Sequence, residues 1–238
     1  MPELHRSLFD NWVGLFHSRV KMPRLPFITF EGSEGCGKST QVQRLAARLD
    51  QAGVPYLLTR EPGGTEIGES IRELLQFAPQ GAGMTPHTEL LLFEASRSQL
   101  VHEKIKPALE RGLCVISDRF FDSTTVYQGV ARRLDRQIVE QLNAFAIGDC
   151  WPDATFVLDV HPGVAHSRMR CTARRADRME QEPREFYEQV REAYRELAAR
   201  EPNRIVLIDG SRSEDKIEDE IWEIISRRFP ALRQNPPP

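Results

Sequence analysis

The stretch Phe27–Thr40, FITFEGSEGCGKST, constrains this chain more than any other. Mostly apolar residues 27–31 run straight into Gly32-Ser33-Glu34-Gly35-Cys36-Gly37-Lys38-Ser39. That segment carries the full G-x-x-x-x-G-K-[ST] spacing at the point where a strand should stop and a helix begin. Glycines let the backbone curl until consecutive N–H groups point inward at an anion. The helix that follows, expected over Lys38–Leu49, adds the positive end of its dipole. A chance glycine-rich turn could share the spacing but would lack the strand-then-helix setting. Gly32, Ser33, Glu34, Gly35, Cys36, Gly37, Lys38, Ser39 and Thr40 are therefore the candidate contacts for ATP or GTP. Lys38 would reach the β- and γ-phosphates, and the Ser39 hydroxyl is the expected Mg²⁺ ligand.

The remaining chain alternates short apolar runs with helical periodicity. Tyr56–Thr59, Leu113–Ser117, Thr155–Val160 and Arg204–Ile208 read as strands. Glu66–Leu75, a long stretch from Thr85-Pro86 to Arg111, Leu134–Ile147, Pro183–Arg200 and Glu214–Arg228 read as helices, with Pro107 expected to bend or divide the second. Residues 77–85 read as a polar loop. This alternation predicts an α/β fold whose central parallel sheet is covered by helices on both faces. Ligands of such sheets sit beyond the carboxyl ends of the strands, where Glu34, Arg60, Asp118 and Arg119 fall.

Composition narrows the class. The 238 residues suit one domain spanning 25–230. Lys plus Arg number 32 against 35 for Asp plus Glu, and the net charge of −3 gives no electrostatic case for nucleic-acid binding. No apolar run approaches the roughly 18–20 residues of a membrane-spanning helix. Cys36, Cys114, Cys150 and Cys171 are scattered, the pattern of reduced thiols in a cytoplasmic protein. Residues 1–24 read as an N-terminal extension, with Leu8, Trp12, Leu15 and Phe16 at near-helical spacing and Met22 an alternative start. Residues 231–238, ending in three prolines, are expected to be a disordered tail.

The phosphate loop alone does not separate a kinase from a GTPase switch or an ATP-driven machine. No guanine-reading N-K-x-D occurs, and the chain leaves little room for a mechanical module. The segments FEGSEGCGKSTQ, TREPGGTEIGESIRELL, ELLLFEASRSQ, IKPALERG, SDRFFDSTTVYQG, PDATFVLDV and DRMEQE, spread over residues 27–210, resemble in content and order those of bacterial thymidylate kinases. TREPGGT together with DR-x-x-x-S-x-x-x-YQG is specific to them. The resemblance implies a P-loop nucleoside monophosphate kinase fold with an Arg-rich lid at about 168–180. It also implies transfer of a phosphoryl group from ATP to dTMP with Mg²⁺, and a homodimer.

Site roles follow from the same resemblance. Arg60 would grip the acceptor phosphate, a planar donor matched to phosphate oxygens, and Arg119 would approach it too. Asp118 would stand near Mg²⁺. Phe93 would stack on thymine, Arg97 would reach its O4, and Thr124, Tyr127 and Gln128 would face base and sugar. Glu34 would contact the 3′-hydroxyl. From the residues alone, Phe93 reads first as a helix-core ring, and a buried structural pair is the alternative for Asp118-Arg119. The phosphate loop has no arginine beside Gly35, so the catalytic arginine is expected in the lid, with Arg174 the first choice over Arg170 and Arg175. Two departures stand out: Val130-Ala131-Arg132-Arg133-Leu134 replaces the usual glycine-rich continuation after YQG, and Cys171-Thr172 interrupts the lid's arginines. A kinase for another monophosphate such as dUMP, or a nucleotide-binding regulator without turnover, are the alternatives.

Overall fold

The computed structural model describes residues 24–170, 178–179 and 182–233. The expected N-terminal helix, the alternative start at Met22 and the lid residues 171–177, with Cys171, Arg174 and Arg175, lie outside the described residues.

Five parallel strands build one sheet in the order β2-β3-β1-β4-β5. They are β1 (Phe27–Glu31), β2 (Tyr56–Arg60), β3 (Cys114–Asp118), β4 (Ala154–Asp159) and β5 (Ile205–Asp209). β1 is central and buried throughout, as a strand paired on both edges and covered on both faces must be. Its alternate residues feed two cores. Ile28 and Phe30 join Cys114, Ile116 and Phe156 beneath helices α1 (Lys38–Gln51) and α9 (Glu214–Arg228). Phe27 faces the other way, with Val115, Leu100, Ile105 and Ile147. Each such fully buried side chain contributes about 1.5–3 kcal/mol of transfer free energy.

Helix boundaries follow the capping chemistry. Helix α2 (Glu66–Gln76) starts at Thr65, whose hydroxyl accepts from the Gly68 amide at 3.0 Å. Helix α3 (Pro86–Leu100) starts at Thr85 with Pro86 in its first turn. The bend expected at Pro107 takes the form of a wide π-helical turn over Val101–Ile105, immediately before α4 (Lys106–Glu110). A widened turn relieves the clash that a proline ring makes with the preceding turn. Asp135 caps α6 (Arg136–Ile147), so that helix begins just past the expected Leu134.

Within the expected loop 77–85, Pro79–Gly83 forms a 3₁₀ turn, and three further segments carry structure that the sequence did not assign. Phe121–Ala131 is helical, as α5 (Phe121–Thr124) continued by a π turn over Thr125–Ala131. Its run of Ser, Thr and Val has low helical propensity, and tertiary bonds hold it, Asp122 pairing with Arg204 at 2.7 Å. Pro162–Arg170 forms helix α7. The chain end is ordered further than position 231: Pro230–Arg233 is a 3₁₀ turn and Leu232 is fully buried against the α1–α9 core. Helix α8 (Arg184–Arg200) packs Tyr187, Val190 and Tyr194 behind the site.

Candidate active site

Two cavities meet beyond the carboxyl edges of β1, β2 and β3. The larger, about 700 Å³, follows the loop between β1 and α1 and runs past Arg168 to Gly210, Arg212 and Ile217. Gly32 has φ +130°, and a Cβ there would lie 2.7 Å from the Leu158 carbonyl oxygen. Only glycine can occupy that turn. Lys38 Nζ donates to the carbonyls of Gly32 at 3.0 Å and Ser33 at 2.8 Å, so the ammonium sits inside the curl of the loop. Ser39 and Thr40 open α1 on the cavity wall, where Glu34, Gly35, Cys36 and Gly37 also lie. Ser39 Oγ donates to Asp118 Oδ2 at 2.6 Å across the gap between α1 and the end of β3. A hydroxyl and a carboxylate oxygen this close, on the wall of the loop cavity, are hard donors of the kind Mg²⁺ takes alongside phosphate oxygens and water. The residues present therefore fit Mg²⁺.

The second cavity is narrower and lies beside the first. Phe93, Thr124, Tyr127, Gln128, Pro62 and Met179 line it. Glu34, Gln76 and Arg119 line both cavities. Arg119 is the hinge between them. Its φ of +72° is uncommon for a residue with a side chain, and the surroundings over-determine it. The Arg119 amide donates to Phe30 O at 2.9 Å, and buried Glu31 accepts from the Phe120 amide at 2.8 Å and the Ser123 hydroxyl at 2.6 Å. The guanidinium then reaches Gly32 O at 3.1 Å, Ser123 Oγ at 3.0 Å and Glu34 Oε1 at 2.8 Å, over the Tyr127 ring.

Electrostatics sort the carboxyls. Burial would raise Glu34, but Arg119 and Lys38, with the Tyr127 hydroxyl donating at 2.8 Å, hold it below the ordinary value. Burial and neighbouring Asp122 push Glu31 up. Glu61 is pushed up to about 7, since burial outweighs its bonds with Arg97. Arg97 cannot satisfy it alone. The guanidinium donates to Glu61 Oε2 at 2.7 Å, Glu94 Oε1 at 2.8 Å, Asn143 Oδ1 at 3.1 Å and Thr124 Oγ1 at 3.0 Å.

The structure brings most of the expected residues together. Phe93 lines the second cavity and is not simply helix core. Asp118 pairs with Ser39 and Arg119 with Glu34, in place of the alternative Asp118–Arg119 pair. Arg97, four residues along α3 from Phe93, is 1% exposed and stands one layer behind the cavity, holding Thr124. Arg60 lines the larger cavity and is held by Glu69, both carboxylate oxygens accepting at 2.9 Å. The first-choice lid arginine, Arg174, is outside the described residues. Of the lid's other positions, Arg168 donates to Gly210 O at 3.1 Å on the larger cavity. Sequence reasoning missed Glu61, Pro62, Gln76, Ser123 and Met179. The TREPGG, DR-x-x-x-S and DRMEQE patterns around four of them offered a signal.

Comparisons with known proteins agree with this arrangement. A family model described as thymidylate kinase matches residues 30–221. The thymidylate kinase of Thermomicrobium roseum is 44% identical over 210 residues, which cover 88% of this chain and 99% of the relative. That of Symbiobacterium thermophilum is 47% identical over 207 residues, covering 85% and 95%. A crystal structure of thymidylate kinase from Ehrlichia chaffeensis matches with a TM-score of 0.69 at 37% identity, covering 85% of this chain and 99% of that one.

Proposed function

The chain belongs to the thymidylate kinase family, and from that premise we propose how its own residues divide the ATP-dependent phosphorylation of dTMP to dTDP. The observation that carries the assignment is the meeting of two cavities at Arg119 and Glu34, one along the phosphate loop and one lined by Phe93 and Tyr127. ATP takes the first and dTMP the second.

Phosphoryl transfer depends on alignment and charge neutralisation more than on covalent chemistry from the protein. An oxygen of the acceptor phosphate attacks the γ-phosphorus, the bond to the β–γ bridging oxygen breaks, and ADP leaves. Backbone amides of residues 32–40 and the Lys38 ammonium take the donor phosphates. Ser39 and Asp118 would hold Mg²⁺, which neutralises charge on the donor oxygens. Arg60 and Arg119 orient the acceptor phosphate, with Arg60 exchanging Glu69 for it. Glu34, kept ionised by Arg119 and Lys38, accepts from the sugar hydroxyl. Phe93 stacks on the base, Thr124, Tyr127 and Gln128 face base and sugar, and Arg97 acts on the base side. Arg174 remains the proposed lid arginine.

The same reading places the enzyme in the cytoplasm as a homodimer. Cys36, Cys114 and Cys150 are free and buried, suited to a reducing compartment, and no helix among the described residues is long and apolar enough to cross a membrane. Leu91 on α3 and Ile138 and Phe145 on α6 leave apolar side chains exposed on neighbouring helices, suited to a second copy. The division of labour is tested with Arg60→Ala, followed by separate titrations of ATP and dTMP. The expected result is weakened dTMP use with ATP binding intact; equal loss of both would overturn the assignment.

A further inference from the structure

Behind the acceptor cavity lies a buried carboxylate to which no role has yet been given. Glu89, in the first turn of α3, is 1% exposed. Its Oε1 accepts from Gln128 Nε2 at 2.8 Å and from Arg132 Nε at 3.3 Å. Its Oε2 accepts from Arg132 Nη2 at 3.4 Å and, more closely, from Arg178 Nη2. Arg178 is in turn tied to the end of α2, its amide donating to Gln76 O and its Nε to Leu75 O, each at 3.1 Å. Burial would raise the Glu89 carboxyl, but the bonds from Gln128 and Arg178 and the charge of Arg132 hold it below the ordinary value. It is therefore ionised at neutral pH, and an ionised carboxylate can only accept hydrogen bonds.

We propose that Glu89 is a positioning residue that fixes the polarity of the Gln128 carboxamide, so that the acceptor cavity is offered its oxygen and not its nitrogen. A glutamine amide has one donor end and one acceptor end, and a buried carboxylate pins the donor end. The end left for the cavity accepts. Such a group matches a pyrimidine with N–H at position 3, as in thymine or uracil, and opposes cytosine, whose N3 is a lone pair. Glu89 thereby sets base selectivity without touching the base. This rests on the acceptor cavity assigned above.

The test is Glu89→Gln, assayed with dTMP and with 5-methyl-dCMP, which keeps the methyl group and reverses the polarity at N3. In this variant Arg178 claims the new amide's oxygen, its NH₂ turns to Gln128, and the Gln128 carboxamide flips. Expected is a fall of tenfold or more in the dTMP to 5-methyl-dCMP ratio of kcat/KM, with KM for ATP unchanged. A ratio within twofold of wild type in the folded variant would overturn the proposal. Should the variant not fold, the wild type carries the test through NMR of the Gln128 side-chain amide. Slowly exchanging NH₂ protons with no contact to bound thymine are expected, and NOEs from those protons to the base would refute it. Gln128→Ala separates the two levels: unchanged dTMP kinetics there would remove the cavity assignment itself, and this inference with it.

Discussion

Replacing Glu61 by glutamine should abolish a pH dependence of folding stability that the wild-type chain carries. Glu61 is 5% exposed, and its carboxyl shares Arg97 with the equally buried Glu94. Glu61 Oε1 and Glu94 Oε2 are left buried without a partner. Burial pushes Glu61 up to about 7 from an ordinary 4.5, with Glu94 and Glu31 adding like charge and Arg97 only partly opposing. Between those two values the folded chain holds a proton that the unfolded chain has lost. The stabilising contribution is thus fully present below about 4.5 and disappears as pH rises through about 7. Linkage converts the interval into about 2.5 kcal/mol lost between pH 5 and pH 8. Glutamine copies the protonated acid and does not titrate, so carboxyls that do not interact with Glu61 cancel when the two proteins are compared. Urea unfolding at pH 5, 6, 7 and 8 would read the difference as a midpoint shift of about 1 M, wild type falling relative to E61Q. A stability difference constant across that range would refute the reasoning, since it would mean that Arg97 keeps Glu61 ionised in the folded chain.

Other outcomes follow from the same geometry. Lys38→Met should lower kcat at least about a hundredfold, the scale of one lost charge-stabilising group, while thermal unfolding shows the fold retained. Leu232→Ala should cost about 2–5 kcal/mol, because the side chain is fully buried in the α1–α9 core; a change near zero in chemical denaturation would show that the chain end contributes nothing. Phe93→Ala should raise KM for dTMP about tenfold, the value of one stacked base, and leave KM for ATP unchanged.

The legible parts of this protein were those in which local chemistry and tertiary context agree. The β1–loop–α1 unit was readable because a buried strand, glycines at positive φ and an amphipathic helix all point one way at Gly32–Ser39. Thr85-Pro86 marked the start of α3, and the apolar positions Leu90, Leu91, Phe93 and Leu100 carried it on. Phe121–Ala131 was not readable as helix, because its residues disfavour one and the bonds that impose it come from Glu31 and Arg204, distant in sequence. Leu232 escaped for a similar reason: a lone apolar residue before a proline-rich tail carries no periodicity. Within the site, the resemblance assigned Phe93 and Arg97 to one base, whereas the structure separates them into a lining ring and a buried guanidinium behind it. Glu61 and Glu89 fall inside the segments TREPGG and ELLLFEASRSQ, but what makes them matter is burial without solvent, which no spacing encodes.

The most direct measurement is ADP release in a coupled assay with ATP, Mg²⁺ and, in turn, dTMP, dUMP, dCMP, dGMP and UMP. Steady turnover with a clear preference for dTMP is the predicted result. Preference for another monophosphate would contradict the assignment of Phe93, Thr124, Tyr127 and Gln128 to thymidine, and absence of turnover with all five would contradict the kinase itself.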